Sequence, residues 1–149
     1  MIDQFNCHAT STPVGDLSEA RCIKSILAAD QALRFRDDMR KFAETDPEAI
    51  STHSELSKST QSPILTANKG NLGHCVAGAG AIESALAFLS LHHDKVVKIR
   101  NLEEPLDKDL SFAMENQDCE TNVIVKNALV FGGINCSLVF KKYRVGGKL

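Results

Sequence analysis

The chain has 149 residues, enough for one domain that hides roughly two-thirds of its unfolded surface, and 43% hydrophobic with 24% charged residues excludes disordered, collagen-like and coiled-coil classes. Seventeen Lys and Arg against nineteen Asp and Glu give a formal charge of -2, without the basic excess of a phosphate-backbone binder, so nucleic acid is not an expected partner. The five cysteines are odd in number and include no C-x-x-C pair, which speaks against a disulfide framework and for an intracellular, reducing compartment. The longest apolar-leaning stretch, Cys75 to Leu91, is broken by Gly78, Gly80, Glu83 and Ser84, so neither a membrane span nor an export signal is expected.

In chain order, Ile2 to Cys7 reads as a short strand with no polar leader ahead of it, which suggests a beginning elsewhere. After the turn residues Thr10 to Gly15, Asp16 with Glu19 three positions on resembles a capping box, and Leu17, Ala20, Ile23, Ile26 and Leu27 predict a helix over Leu17 to Ala29 with one buried face. Arg34 to Thr60 turns to mixed charge and hydroxyls and is read as a surface insertion with one helix. Ile64 to Ala67 is the next strand, Asn68 to His74 a glycine-bearing turn, and Cys75 to His92 a helix small or apolar on most sides, expected to be buried all round. Gly within a helix costs about 1 kcal/mol relative to Ala, so Gly78 and Gly80 predict a close approach of another backbone. Val96 to Ile99 is a strand and Asn101 to Cys119 a polar connection; Val123 to Phe131 and Cys136 to Phe140 form a hairpin around Gly132-Gly133, followed by a tail. Asn135-Cys136-Ser137 matches a glycosylation sequon inside that expected buried strand.

Two histidines stand at turns where strands give way to helices, His8 and His74. Ligands of open α/β sheets collect beyond the carboxyl ends of strands, so both imidazoles could face one pocket, donating hydrogen bonds to a developing enolate or oxyanion, with a helix start beside His74 disfavouring imidazolium. The other reading is two turn residues satisfied by local backbone. Cys7-His8 and His74-Cys75 contain a zinc-type donor set, but neighbours along a strand point to opposite faces, which disfavours a metal. His92-His93 reads as a solvated helix end. Gly78-x-Gly80 lies inside the helix and no phosphate-loop signature is present. Lys69 lies in the turn before the apolar helix, and Glu83 within it would need a partner if buried. Thr10 and Thr12 could present two hydroxyls to one side of an extended ligand, or cap local backbone.

Together, Asn6-Cys7-His8-Ala9-Thr10-Ser11-Thr12-Pro13-Val14-Gly15-Asp16, Lys69-Gly70-Asn71-Leu72-Gly73-His74 with Ala77-Gly78-Ala79-Gly80-Ala81-Ile82-Glu83, and Asn127 through Phe131-Gly132-Gly133-Ile134-Asn135 resemble, in order, three blocks of the carboxyl-terminal half of a β-ketoacyl-acyl-carrier-protein synthase, an elongating condensing enzyme. The resemblance implies a thiolase-like α/β fold, β-α-β-α-β-β-β, with helices packed on a mixed sheet over residues 1–143, including the insertion at 34–60, and a tail at 144–149. It implies an acyltransferase of fatty acid biosynthesis that joins malonyl-acyl carrier protein to an acyl thioester by decarboxylative Claisen condensation. His8 and His74 would bind the malonyl thioester carbonyl, Thr10 and Thr12 the phosphopantetheine arm, Lys69 would pair with Glu83 beside the pocket, and Phe131 would gate it, with Asn135 in support. No metal or cofactor beyond substrate-borne phosphopantetheine is implied.

The chain departs from the family pattern as well. No Cys occupies the strand-to-helix elbow that carries the family's nucleophile, Leu129-Val130 stand where Phe-Gly is usual, and Ile134 replaces a Thr. The expected partners are therefore acyl carrier protein and the missing amino-terminal half or a full-length synthase, within a homodimer in the whole enzyme; acting alone, the chain is expected to be inactive. The alternative is a non-catalytic acyl-carrier-protein or pantetheine binder, or a dimerisation module. The resemblance leaves both mitochondrion and cytoplasm open.

Overall fold

A computed structural model of the chain describes residues 1–45 and 62–143. It divides into two compact units, Met1–Glu19 with Ser62–Leu149, and Ala20–Gln61. The first is built on a five-stranded sheet of β1 (Gln4–Asn6), β2 (Ile64–Thr66), β4 (Ser111–Phe112), β6 (Val123–Val130) and β7 (Ile134–Lys141), in the order β4-β2-β1-β6-β7. The first four run parallel and β7 closes the edge antiparallel to β6. β1 is thus the central strand. Its polar residues are buried and partly paired: Gln4 Oε1 accepts from Ser90 Oγ at 2.8 Å and Asn6 Nδ2 donates to Asn68 Oδ1 at 2.6 Å, while Asn6 Oδ1 has no partner among the described residues.

The helix α1 (Pro13–Thr45) corrects the expectation of Leu17 to Ala29 at both ends. Proline suits the first helical position, where its missing N–H and fixed φ cost nothing, and Thr12 O accepts from Asp16 N at 2.9 Å. The predicted capping box does not form, because Glu19 turns back to His8 and Ala9 instead. In the second unit the helix runs on through Arg34 to Thr45, which the sequence reading placed in the surface insertion. Arg, Lys, Met, Ala and Glu there are good helix formers with no Gly or Pro among them, so the helix expected within the insertion is a continuation of α1. Residues 46–60 of that insertion, and the tail at 144–149, lie outside the described residues.

After β2 the glycine-bearing turn contains a short helix α2 (Lys69–Leu72), then one 3-10 turn (Val76–Gly78) leads into α3 (Ala79–His93). Only a stripe of α3 at four-residue spacing is buried, Ala79, Glu83, Ala87 and Leu91, and Ala87 and Leu91 pack with Ile124 and Phe140 on the sheet. Ile82, Phe88 and Leu89 are exposed, so burial all round does not hold in this chain. Nor is there a close backbone at the helical glycines: nothing lies within 4 Å of a Cβ built on Gly80, and that of Gly78 meets only Cys75 and Ile82. The tight approach occurs at Gly70, where a Cβ would sit 2.6 Å from Arg100 O.

Asp94 ends α3 in the left-handed region, φ 52°, and β3 (Lys95–Val96) follows at once, shorter than the predicted strand. The connection from Asn101 to Cys119 contains two strands that sequence missed, because each is only two residues long. β4 extends the main sheet beside β2, and β5 (Gln117–Asp118) pairs antiparallel with β3 in a small second sheet. Ile64, Val96 and Ala113 form a core cluster between them. The hairpin turns through Phe131, Gly132 and Gly133, with Val130 opposite Ile134. Both glycines have φ of 91° and 82°, a region side chains disfavour. β7 is exposed along most of its length, so the sequon at Asn135 is not buried as expected.

Candidate active site

The ends of β1 and β2, the start of α2, the middle of α3 and the middle of β6 meet at one cluster. Lys69, on the first turn of α2, sends its ammonium to three acceptors: His8 O at 2.6 Å, Glu83 Oε1 at 2.5 Å and His8 Nδ1 at 3.3 Å. An ammonium only donates, so His8 Nδ1 accepts and the proton of the neutral ring sits on Nε2. His74 is arranged in the same way from a different source, with Val76 N donating to its Nδ1 at 3.1 Å. The two rings lie edge to face with centroids 5.7 Å apart. Each therefore keeps an Nε2–H free of its local partner, and two such donors suit an oxygen on which negative charge develops. The backbone here is strained: Ala9, Ser11 and Val76 have φ of 35°, 62° and 47°, and such conformations persist only where the surroundings enforce them.

The charges around His8 are buried and mutually compensating. Glu83 Oε2 lies 2.6 Å from Lys126 Nζ, so one carboxylate sits between two ammonium groups. Lys126, on β6, is 1% exposed, and its Nζ also donates to Asn127 O. Glu19, from α1, accepts from His8 N and Ala9 N, each at 2.9 Å, and from Asn127 Nδ2 at 3.1 Å. His8 is held below its ordinary value, first by desolvation and then by Lys69 and, more weakly, Lys126, against the pull of Glu19 and Glu83. It is thereby kept neutral and able to donate. Cys7 is the reverse case: burial, then Glu19, raise its thiol far above the ordinary range, and a protonated thiol is a poor nucleophile.

Of the residues singled out from sequence, His8, His74, Lys69 and Glu83 are brought together. Thr10 and Thr12 stand between His8 and the start of α1, their hydroxyl oxygens 3.2 Å apart. Phe131 projects from the hairpin tip, 102% exposed, and Asn135 lies on β7 opposite Leu129. The hairpin connects to the cluster through Asn127, whose Oδ1 accepts from Ser137 Oγ at 2.8 Å while its amide holds Glu19. Sequence reasoning missed Lys126 and Glu19. A lysine closing the apolar run Val123-Ile124-Val125 was the available signal, since burial there demands a carboxylate partner. Among the described residues no group of three or more His, Cys, Asp or Glu side chains is placed to hold a metal ion, and no helix is long and apolar enough to cross a membrane.

Beside the cluster, a cavity of about 330 Å³ opens between the sheet and α3, lined by Asn6, Thr66, Asn68, Leu86, Leu89 and Ser90 among others. It does not include either histidine of the cluster.

The sheet, parallel but for one edge strand and with helices packed on it, defines a mixed α/β unit. The sequence profile described as beta-ketoacyl synthase, C-terminal domain, matches residues 43–103. The chain is 30% identical over 146 residues to 3-oxoacyl-acyl-carrier-protein synthase 1 of Escherichia coli, covering 96% of this chain and 28% of that protein. It is 29% identical over 142 residues to the mitochondrial 3-oxoacyl-acyl-carrier-protein synthase of Arabidopsis thaliana, covering 93% of this chain and 25% of that one. Solved structures share the fold: a beta-ketoacyl synthase from Burkholderia phymatum (TM-score 0.63, 22% identity) and a type II polyketide ketosynthase in complex with its acyl-carrier protein (TM-score 0.69, 21% identity), each covering 96% of this chain and 28% of the other. The resemblance to the carboxyl-terminal part of the β-ketoacyl-acyl-carrier-protein synthases runs through nearly the whole chain, which spans about 28% of the length of such relatives.

Proposed function

We propose that this chain supplies the decarboxylating half of a β-ketoacyl-acyl-carrier-protein synthase site, with His8 and His74 binding the malonyl thioester carbonyl. The observation that supports it is the matched state of the two rings: Lys69 on His8 Nδ1 and Val76 N–H on His74 Nδ1 leave both imidazoles donating from Nε2. When the malonyl C–CO2 bond breaks, its electron pair moves into an enolate whose oxygen these two N–H groups stabilise, and carbon dioxide leaves. The enolate carbon then attacks an acyl thioester carbonyl, and the acyl group's thiolate departs. That acyl group would ride on a cysteine of the remaining part of the synthase, because Cys7 is buried and its thiol raised. Thr10 and Thr12, between His8 and the start of α1, would meet the phosphopantetheine arm of acyl carrier protein, and Phe131 on its exposed glycine-jointed tip would gate entry, with Asn135 supporting the turn.

The exposed Ile82, Phe88 and Leu89 on α3 favour a chain that functions with that remaining part rather than alone. The test is release of carbon dioxide from malonyl-acyl carrier protein, by this chain alone and co-expressed with a nucleophile-bearing amino-terminal part. The chain alone is expected to be inactive and the pair active. His74→Ala in the pair should abolish decarboxylation while acyl loading persists; decarboxylation undiminished by His74→Ala overturns the assignment.

A further inference from the structure

We propose that Lys126 is a positioning residue of this site, its ammonium fixing the Glu83 carboxylate so that Lys69 is held on His8 Nδ1. The argument begins with donor arithmetic. An ammonium has three N–H groups, and those of Lys69 are committed to His8 O, Glu83 Oε1 and His8 Nδ1. The weakest of the three, at 3.3 Å, is the one that sets the His8 tautomer. It survives only if Glu83 stays where it is, and Glu83 is held at its other oxygen by Lys126 at 2.6 Å. Lys126 is a suitable anchor because it has almost no freedom: it is buried, it stands in a strand flanked on both sides, and its Nζ also bonds Asn127 O.

Charge gives the same answer as geometry. Facing His8 are Lys69 from α2, Glu83 from α3, Lys126 from β6, Glu19 from α1 and the His74 ring. Lys69 and Lys126 oppose protonation of His8, whereas Glu19, held on the backbone N–H groups of His8 and Ala9, and Glu83 favour it. Neither the family resemblance nor the residues of the three motif blocks singles out this lysine. Its importance for catalysis rests on the decarboxylation reading; its action on His8 does not.

The test is a titration of the full chain, read at the imidazole nitrogens by two-dimensional proton–nitrogen NMR, for wild type, Lys126→Met and Lys126→Arg. Wild type should show His8 in the Nε2–H form at neutral pH. Lys126→Met should move the His8 midpoint upward and mix its two tautomers, and Lys126→Arg should restore the wild-type pattern. A superimposable Lys126→Met titration overturns the proposal. Should Lys126→Met not fold, wild type decides: an ammonium Nζ signal for Lys126 with slowly exchanging protons supports the role, and a solvent-exchanging one overturns it. A shifted His8 titration in a pair that never decarboxylates malonyl thioester would support Lys126 and remove the decarboxylation reading. Decarboxylation with an unshifted titration would do the reverse.

Discussion

Glu83→Gln is the substitution that weighs most on this fold. The native carboxylate lies 2.5 Å from Lys69 Nζ and 2.6 Å from Lys126 Nζ, all three side chains almost fully buried. Glutamine keeps an oxygen for one lysine but removes the only negative charge between the two, leaving uncompensated ammonium groups in the interior. Breaking a buried ion pair from one side costs about 3–5 kcal/mol, and here one group serves two partners, so a loss near the upper figure is expected. Against a total stability of about 5–15 kcal/mol for an ordinary domain, that is a large fraction. With a urea slope of about 1–3 kcal/mol per molar, the unfolding midpoint followed by circular dichroism should fall by about 2 M. The exposed pair Lys95–Asp118, 2.9 Å long with side chains 66% and 83% exposed, provides the control, since exposed pairs contribute about 0–1 kcal/mol. If Glu83→Gln and Asp118→Asn shift the midpoint equally, the buried array does not hold the site together.

Three further outcomes follow from the same geometry. His8 titrates below its ordinary 6.5 in the folded chain, so the unfolded chain binds that proton more readily. The contribution of neutral His8 is therefore complete above pH 6.5 and lost as the pH falls through the lower folded value; His8→Gln should flatten this part of the acid unfolding profile, and an unchanged profile would refute the assignment. Buried Cys7 should resist alkylation at neutral pH while exposed Cys75 and Cys136 react, checked by mass spectrometry of the intact folded chain; rapid labelling of Cys7 would reopen it as a nucleophile. Phe131→Ala should leave thermal unfolding within about 0.5 kcal/mol of wild type, as for other exposed positions, while disturbing condensation in the assembled enzyme. A large loss of stability would make Phe131 a packing residue instead.

What could be read from the chain and what could not divides along a physical line. His8, His74, Lys69 and Glu83 stood out because polar groups at turns, and one acid inside an apolar helix, break a local pattern. Lys126 breaks a pattern too, but in a strand the two faces alternate and a lysine is assigned to solvent by default; only the pairing of β6 between β1 and β7, with α3 laid over it, shows that it is buried. Glu19 was assigned to the nearest job, capping its own helix, when its carboxylate instead serves backbone eleven residues earlier. The two-residue strands β4 and β5 carry no periodicity that could reveal them. The surprise at α3 has the opposite origin: its composition anticipates contacts on every side, and in this chain only one stripe meets them.

The strand at the centre of the sheet precedes in sequence every strand it is paired with, directly or through β2 and β6, and this sets the order in which the site can come into being. Lys69 meets His8 across 61 positions, Glu19 meets Asn127 across 108, and Asp3 meets the start of β6 across 120. Contacts so distant in sequence form slowly, because the chain must close long loops before they are rewarded. At a synthesis rate of about 5–20 residues per second, β1 waits on the order of ten seconds for β6, with Phe5 lacking its partner Val125 on that side. His8 acquires the full set of contacts described above only when Lys126 arrives, so the site matures only after β6 has been made.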